Sequence, residues 1–371
     1  VKVGEEFVRT EVQFIPAKLK VIDHYRETYE CRSCRKNGTP YMEKAPVPYP
    51  PVLHSLASAS TITWLIHQSF ELSIPLYRQE KEWEALGLRL SRATMQNLAF
   101  WVVYRDWLVH IVHRLKLELL KQRYLHIDET HVQVLKEPGR KNTSDSYMWV
   151  YCSIRDAVNP IRYFEYQPGR SGKYPEAFLR EYEGYIHTDA YSGYNAVSGV
   201  KRCLCYTHLR RAFVDALPKD IHNSEASKPA EAILRLNQLF NIESELEALL
   251  LIEEKERLIR EKPLLEAFWS WAEKSAIGEL PKSKLSKAFH YALNNREGFW
   301  NYLEDGNCSI SNSLAENCIR PFVIGEELAV LGSPKGAEAS AGIYTLVETA
   351  KANGLAPMKY IKYNTCPTCR E

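Results

Sequence analysis

The sequence predicts an α/β fold in which a mixed sheet is flanked by helices, and three observations support this prediction. Residues 121–216 alternate short segments of period-two hydrophobicity with helical segments, in the order β-β-β-α-β-α-β-α. Helical periodicity precedes this stretch over 47–120 and follows it over 217–300. A last segment, 301–362, returns to mixed patterns. This order is that of a ribonuclease H-like core interrupted by a helical insertion.

Composition and charge limit the class of protein. The chain has 371 residues, 45% hydrophobic and 25% charged, which is long enough for about two or three domains of ordinary soluble composition. No run approaches the about 18 consecutive apolar residues of a membrane span, so we expect no membrane partner and a cytoplasmic location. Lys and Arg number 18 against 13 Asp and Glu over residues 1–123, and 30 against 33 over 124–371. This skew leaves nucleic-acid binding and an ordinary solvated surface equally open.

Residues 1–46 predict short strands and turns around the pair Cys31-x-x-Cys34. Hydrophobicity alternates over 7–15, which is typical of a strand. Two thiolates supply half of a tetrahedral Zn²⁺ site. Closely spaced prolines over 46–51 exclude helix and sheet interiors and predict a linker.

The helical region 47–120 contains a candidate DNA-binding motif. A helix over 76–85, a turn at Gly87 and a second helix capped by Ser91 have the layout of a helix-turn-helix. The second helix would expose three side chains suited to reading DNA: Arg92, Gln96 and Asn97. An ordinary helical hairpin explains the same pattern, so both interpretations stay open.

The period-two segments predict five strands of one sheet. They cover 124–128, 146–153, 161–166, 184–189 and 201–205. Short connections between the first three indicate an antiparallel meander, and helices are expected over 174–182 and 208–216.

Two of these strands end in candidate metal ligands. Asp128 closes the first strand, on the same face as His126, and Asp189 closes the fourth. Carboxylates at the ends of neighbouring strands can converge, and their oxygens suit Mg²⁺ or Mn²⁺. Taken singly, an Asp at a strand end is more often a turn or cap residue than a metal ligand.

A third carboxylate is Glu316, which stands four residues from both Asn312 and Arg320. One helical face would therefore present an amide, a carboxylate and a guanidinium. Ser313 and Glu316 also have the spacing of a capping box. Glu316 is therefore either a metal ligand or a helix-capping residue, and both interpretations stay open. We expect Pro321 to stop this helix and to push Arg320 out of helical geometry.

Other segments carry weaker signals. Cys205 and His208 have the spacing of half a zinc site, with no second pair near them in the sequence. After the Glu316 helix, the pattern predicts a strand over 328–331, a glycine-flanked loop over 332–336 and a helix over 339–352.

Six strings together resemble the transposases of the bacterial insertion-sequence 66 family. They are LHIDET (125–130), HTDAYSGY (187–194), CYTHLRR (205–211), NSLAENCIRPFVIG (312–325), GSPKGAEAS (332–340) and LYRQE (76–80). The resemblance spans residues 15–362, and several motifs agree in order.

The resemblance implies a DDE-type catalytic triad of Asp128, Asp189 and Glu316, which would hold a pair of Mg²⁺ or Mn²⁺ ions. Asn312 and Arg320 would support the site. The implied activity is metal-dependent cleavage and strand transfer of DNA at the ends of an insertion sequence. The implied partners are terminal inverted repeats, target DNA, further copies of the chain and accessory proteins of the element, in the bacterial nucleoid.

The resemblance also bears on the remaining candidates. It implies a structural role for Cys205 and His208, and three basic residues are candidates for phosphate contacts: Arg210, Arg211 and Lys335. In the family a zinc-binding module precedes the catalytic part, and its first cysteine pair lies upstream of the position of Val1. The resemblance therefore implies a truncated start and, over residues 1–46, a partial zinc-ribbon-like module with an incomplete Zn²⁺ site at Cys31 and Cys34. The tail 363–371, which contains the pair formed by Cys366 and Cys369, departs from the family pattern.

Two other functions stay open at this point. One is a catalytically defective, transposase-derived DNA-binding protein, and the other is a related nuclease that cleaves without strand transfer.

Overall fold

The computed structural model describes residues 3, 5–15, 17–47, 49–97, 102–218, 227–248, 254–326 and 331–366. Its first elements are β1 (Thr28–Glu30), α1 (Arg32–Lys36) and β2 (Met42–Lys44). β1 and β2 pair antiparallel, and α1 lies in their connection.

The strand predicted over 7–15 is wrong. These residues are exposed and form no strand, although all of them are described. An alternating segment becomes a strand only when its backbone pairs with another strand and one face is buried, and this segment has neither.

The described residues between β2 and the sheet include α2 (Ala59–Phe70), α3 (Leu76–Ala85), α4 (Arg92–Met95) and α5 (Val109–Leu119), the last of them preceded by a π-helical turn, Tyr104–Leu108. Gly87, with a φ of +93°, makes the turn after α3 in a conformation that favours glycine. α4 begins as expected at the cap Ser91, whose Oγ accepts from the Thr94 N–H at 3.2 Å. The described part of α4 has four residues, and its use as a recognition helix stays a prediction.

The centre of the molecule is a five-stranded mixed sheet. In chain order its strands are β3 (Tyr124–Gln133), β4 (Asp145–Ser153), β5 (Arg162–Gln167), β6 (Gly184–Thr188) and β7 (Val200–Leu204). In space they run β5-β4-β3-β6-β7. β3, β4 and β5 form an antiparallel meander, whereas β6 runs parallel to both β3 and β7. This mixed sheet, flanked by helices, confirms the predicted fold class.

Strand β3 is longer than the sequence predicts. It pairs with β4 from Leu125 opposite Ser153 to Gln133 opposite Asp145. Asp128 therefore lies in the middle of a strand and not at its end, because β4 continues to supply hydrogen-bonding partners beyond that residue.

Helices cover the connections on the parallel side of the sheet. α6 (Lys173–Phe178) joins β5 to β6, and α7 (Tyr206–Val214) follows β7. Between β6 and β7 the chain forms a short 3-10 turn, Ser192–Ala196, where the predicted element order has a helix.

The insertion after α7 is helical, as predicted. It contains α8 (Lys228–Ala248), α9 (Glu254–Arg260), α10 (Lys262–Ala276), α11 (Lys284–Asn294) and α12 (Arg296–Trp300). Its apolar core includes Trp269 and Phe289 and is continuous with Leu204 and Tyr206 at the edge of the sheet.

The last elements return to the sheet: α13 (Ser313–Glu326), α14 (Pro334–Ala352) and α15 (Pro357–Thr365). α13 packs on β3 and β4, and α14 packs on β5. Two sequence-based boundaries are wrong here. α13 continues through Pro321, and the expected loop over 332–336 is largely the first turn of α14, capped by Ser333.

The strand predicted over 328–331 falls mostly outside the described residues. Leu331 itself forms an isolated bridge with Val134, next to the end of β3. Among the helices that the structure describes, none has both the length and the apolar composition needed to cross a membrane.

Candidate active site

The two aspartates follow paired histidines of neighbouring parallel strands, Asp128 within β3 and Asp189 directly after β6. β3 and β6 pair with His126 opposite His187, two residues before each aspartate. The charge of Asp189 contributes to raising the pKa of Asp128, so the two carboxylates lie near each other. The Tyr191 N–H donates to Asp189 Oδ1 at 2.9 Å and fixes the turn in which Asp189 lies, directly after β6.

The third carboxylate reaches this site from α13. Ala315, Ile319 and Phe322 are buried on the side of α13 that packs against the sheet. Glu316, in the first turn, has its Oε1 3.6 Å from His208 Nδ1. Ser313 is the first residue of α13 and not the cap before it, so the helix does not begin as the capping-box interpretation expects.

The electrostatics of Asp128 indicate that several carboxylates meet here. Burial raises the pKa of Asp128 to about 7, and the negative charges of Glu129, Glu316 and Asp189 contribute to the increase. A bound cation would reverse this effect, since it favours the charged form of each carboxylate.

Asn312 joins three parts of the site. Its side-chain amide donates to Ile127 O at 2.7 Å, and its Oδ1 lies 3.0 Å from His126 Nδ1. Its backbone N–H donates to Cys205 Sγ at 3.1 Å. Asn312 is 2% exposed, so it links β3, the start of α7 and the start of α13 through buried hydrogen bonds.

Two stacked histidines lie on the same face of the sheet as the aspartates. The rings of His126 and His187 have centroids 4.2 Å apart and an interplanar angle of 12°. Burial, followed by the neighbouring His187, lowers the pKa of His126 well below its usual value. His126 is therefore neutral, and with its Nδ1 protonated it donates to Asn312 Oδ1.

Cys205 and His208 form a polar pair that contacts Glu316. Ligand atoms of the three residues lie within 4.8 Å of one another. The pKa of His208 is raised, chiefly by its hydrogen bond with Cys205 and further by the charges of Glu316 and Asp189. The pair therefore lies directly beside Glu316, a relation that the sequence spacing alone does not show.

Glu129 and Arg170 form a second charged pair next to the site. The Glu129 side chain is 1% exposed, and Arg170 Nε donates to its Oε1 at 2.7 Å. The Tyr194 hydroxyl donates to the other carboxylate oxygen. Arg170 Nη2 also lies 3.9 Å from Asp189 Oδ2, so one guanidinium faces both carboxylates.

The residues present fit a hard divalent cation. The charges of Glu316 and Asp189 both act on Asp128, and oxygen is the ligand atom that Mg²⁺ and Mn²⁺ prefer. Glu316 Oε1 is buried and has no hydrogen-bond partner among the described residues, and neither has His208 Nδ1. These two atoms lie 3.6 Å apart, beyond hydrogen-bond distance but within that of an ion pair, so a bound cation would give this oxygen a closer partner.

The other predicted site residues lie at greater distance or on the surface. Arg320 is exposed one turn beyond Glu316, and it is helical because α13 does not stop at Pro321. Arg92, Gln96 and Asn97 are exposed, and Arg92 pairs with Glu80 at 3.1 Å.

Three further basic residues flank the core. Arg211 and Lys335 are exposed, and Arg210 Nε donates to Asn237 Oδ1 at 2.8 Å. Lys335 lies in the first turn of α14. A Cβ built on Gly336 would lie 3.7 Å from Gln96 Nε2, so Gln96 is near this same turn.

The N-terminal cysteines lie at the start of α1. A side-chain hydrogen bond joins Cys31 and Cys34, and backbone and side-chain hydrogen bonds from Cys34 lower the pKa of Cys31. In the part of the chain that the structure describes, no third potential ligand joins them in a cluster. Cys366 is half-buried after α15, and Cys369 lies outside the described residues.

Sequence analysis missed Glu129, Arg170 and the stacking of the two histidines. One signal was available for the histidines, since both aspartates follow the pattern His-x-Asp, at 126–128 and 187–189. No local pattern predicts the pairing of Arg170 with Glu129, because 41 residues separate them.

Comparisons with known proteins add two matching families. A model described as "Transposase IS66 family" matches residues 54–339, and one described as "zinc-finger binding domain of transposase IS66" matches 1–35. The second match includes Cys31 and Cys34.

Three similar proteins come from Sinorhizobium fredii. Uncharacterized protein y4hP is 25% identical over 384 residues, which cover 97% of this chain and 67% of that protein. Uncharacterized protein y4qI is 26% identical over 382 residues, covering 97% and 68%. Uncharacterized protein y4jD is 24% identical over 370 residues, covering 94% and 69%.

Proposed function

Because the chain belongs to the IS66 transposase family, we propose that it is a DNA transposase of the DDE type, which cleaves and joins DNA at the ends of an insertion sequence. The observation that carries the proposal is the register of β3 and β6. It pairs His126 with His187, two residues before Asp128 and Asp189, and the charges of Glu316 and Asp189 both contribute to raising the pKa of Asp128.

In this proposal Asp128, Asp189 and Glu316 hold Mg²⁺ or Mn²⁺, as a pair of ions. Bound ions of this kind stabilise the charge that develops on the attacking and leaving oxygens of a phosphodiester displacement. The chain's own residues position the carboxylates. Asn312 ties the start of α13 to β3, His208 lies against Glu316, and Arg170 restrains Glu129 beside Asp128.

The substrates proposed are the terminal inverted repeats of the element and a target DNA. Gln96 and Lys335 support this, because they lie on neighbouring surfaces of the helical region and α14. Arg92 and Asn97 would extend this contact, and Arg320, Arg210 and Arg211 would bind phosphates closer to the carboxylates.

The working form proposed is a homo-oligomer on DNA in the bacterial cytoplasm, at the nucleoid, with accessory proteins of the same element. The match to the zinc-finger binding domain supports Zn²⁺ at Cys31 and Cys34. Two ligands are half of the usual tetrahedral set, so the remaining ligands would come from outside this pair.

The decisive experiment compares the chain with Asp128→Asn on labelled terminal-repeat DNA in Mg²⁺ or Mn²⁺. Asn keeps the size of the side chain and removes the charge that holds the ion, so we expect cleavage and joining to fall by at least about 100-fold. Asp145→Asn is the matched control, since Asp145 is exposed at the start of β4 and pairs with His131. It should keep full activity.

The other outcomes separate the alternatives. Equal activity in Asp128→Asn and the unchanged chain would contradict the metal site. Cleavage without joining would identify a nuclease, and binding without cleavage would identify a defective, DNA-binding copy.

A further inference from the structure

A second set of metal-ligand side chains lies within the core, on β6, β7 and the segment before α13. His187, Cys203 and Cys308 bring their ligand atoms within 4.8 Å of one another. Each of the three residues is 1% exposed. They include none of the three carboxylates of the proposed active site.

The orientation of His187 suits a metal ligand. Its Nδ1 lies 3.2 Å from Leu125 O, so this nitrogen carries the proton and donates. Its Nε2 is then unprotonated, and its lone pair accepts a hydrogen bond from the Ser309 N–H at 2.9 Å. Histidines that bind metals usually donate their other N–H to a carbonyl or carboxylate, as Nδ1 does here.

The two thiols complete a donor set of a particular type. Cys203 lies in β7 and Cys308 lies just before Ser309, and a side-chain hydrogen bond joins them. Two sulfurs and an imidazole nitrogen match Zn²⁺, whereas Mg²⁺ prefers oxygen. The cluster therefore selects a different ion from the one that suits the carboxylates.

We propose that His187, Cys203 and Cys308 bind a thiophilic cation of the Zn²⁺ class, which ties the segment before α13 to β6 and β7. Both thiols release their protons on binding, and no oxidation is involved. Ligand atoms around one tetrahedral Zn²⁺ lie about 3.3–3.8 Å apart. Since the present separations are all below 4.8 Å, binding needs at most a small closure of the three ligand atoms, together with the turning of the Ser309 N–H away from Nε2.

The structural consequence follows from the positions of the ligands. His187 precedes Asp189 by two residues, and Cys308 lies shortly before Asn312 and α13. An ion bound to both residues would link the segment before α13 to β6 and β7. It would therefore hold that segment in place where the chain leaves the insertion. The proposal concerns metal content and stability, and it holds whether or not the chain transposes DNA.

The test uses the full chain with Cys31→Ser and Cys34→Ser, so that the N-terminal pair does not contribute. The protein is stripped with a chelator, kept reduced and titrated with Zn²⁺, and Co²⁺ is used as a spectroscopic probe. We expect about one bound equivalent, a thiolate-to-Co²⁺ charge-transfer band and a rise in Tm on adding Zn²⁺. Cys308→Ser and Cys203→Ser should each lose the equivalent and weaken the band.

Two matched controls locate the site. Cys152→Ser removes a buried thiol that is hydrogen-bonded to Cys318 and belongs to no three-ligand cluster among the described residues, so binding should persist. Cys205→Ser tests the cluster that contains Glu316, and binding should again persist. Circular dichroism of each metal-free variant verifies that it folds.

Three results would overturn the proposal. The first is that the folded, reduced protein does not bind Zn²⁺ tightly. The second is that Zn²⁺ binding survives Cys308→Ser and Cys203→Ser. The third is that Zn²⁺ binding depends only on Cys205. A rise in Tm with Zn²⁺ that persists in Cys308→Ser would have the same meaning.

Discussion

Asp128 and Glu129 are adjacent in β3, and their side chains leave the sheet on opposite faces. Glu129 is neutralised within the protein, since it accepts from Arg170 and Tyr194. Asp128 instead lies near further carboxylates, and burial raises its pKa to about 7. The difference assigns a structural role to Glu129 and leaves Asp128 suited to a cation.

At the residue scale, Arg170→Gln tests this distinction. The change leaves the buried carboxylate of Glu129 without its cation, so we expect the free energy of unfolding to fall by about 2–3 kcal/mol. Urea unfolding monitored by circular dichroism measures it. Arg180→Gln is the control, because Arg180 is exposed on the surface beyond α6. An unchanged stability in Arg170→Gln would show that Glu129 does not depend on Arg170.

The helix α13 shows how packing overrides a local sequence signal. Pro321 lacks the N–H that would bond the carbonyl of Asn317, yet the helix continues to Glu326. Ile319 and Phe322 are buried on either side of the proline. Their burial stabilises the helix enough to offset the missing hydrogen bond.

At the element scale, Pro321→Ala should therefore stabilise the protein. Alanine restores the missing donor and has the highest helix propensity, so we expect the free energy of unfolding to rise by about 1–3 kcal/mol in urea titrations. Gly325→Ala in the same helix is the contrasting variant. A Cβ there would lie within 2.5 Å of the Tyr344 hydroxyl, so stability should fall. A loss of stability in Pro321→Ala would mean that α13 requires the shape that proline gives it.

A second prediction at this scale concerns α9 and α10 of the insertion. Glu261 is fully buried and accepts from the Tyr302 hydroxyl at 2.7 Å. Burial and then the charge of Glu243 raise its pKa to about 8. Since the folded pKa exceeds the unfolded value near 4, the stability that Glu261 contributes is present below pH 4. It is lost as pH rises through about 8.

We expect Glu261→Gln to reduce this loss. Between pH 5 and pH 9 the unchanged protein should lose at least about 1 kcal/mol more unfolding free energy than the variant, as measured in urea at each pH. Glu266→Gln, at an exposed position of α10, should behave as the unchanged protein. Parallel pH profiles for Glu261→Gln and the unchanged protein would contradict the assignment.

At the scale of the whole molecule, the insertion and the sheet share one core. Tyr206 packs on Phe299 and Tyr302, with ring centroids 4.9 and 5.4 Å apart. Trp269 packs on Phe299, 6.0 Å away, and is fully buried. The same aromatic cluster thus contains residues of the insertion and the start of α7, and the two parts should unfold together.

Trp269→Ala tests this cooperativity. The large cavity should lower the free energy of unfolding by about 3–5 kcal/mol. Circular dichroism reports mainly the helices, and hydrogen exchange of the β3 amides reports the sheet. The decrease in the free energy of unfolding should be equal by the two methods. Trp107→Ala, at a half-buried position that packs against a separate apolar cluster containing Ile62 and Leu65 of α2, provides a comparison. Unequal losses at the two probes in Trp269→Ala would show that the insertion unfolds by itself.

The sequence alone determined the fold class, the helical insertion and the strands that carry Asp128 and Asp189. Each of these depends on local periodicity or on a short motif, and both involve only residues that are near one another in the sequence. The element boundaries that the sequence predicted wrongly are those set by contact with another element. β3 extends because β4 pairs with it, 7–15 forms no strand because nothing pairs with it, and α13 passes Pro321 because it packs on the sheet.

Only the tertiary structure decided the composition of the candidate site. β3 and β6 pair up to the histidines that precede the two aspartates, α13 brings Glu316 to His208, and the segment after the insertion brings Cys308 to His187 and Cys203. These contacts join residues separated by about 60 to more than 100 positions. Their physical cause is the burial of apolar faces between elements distant in sequence, which no local pattern specifies.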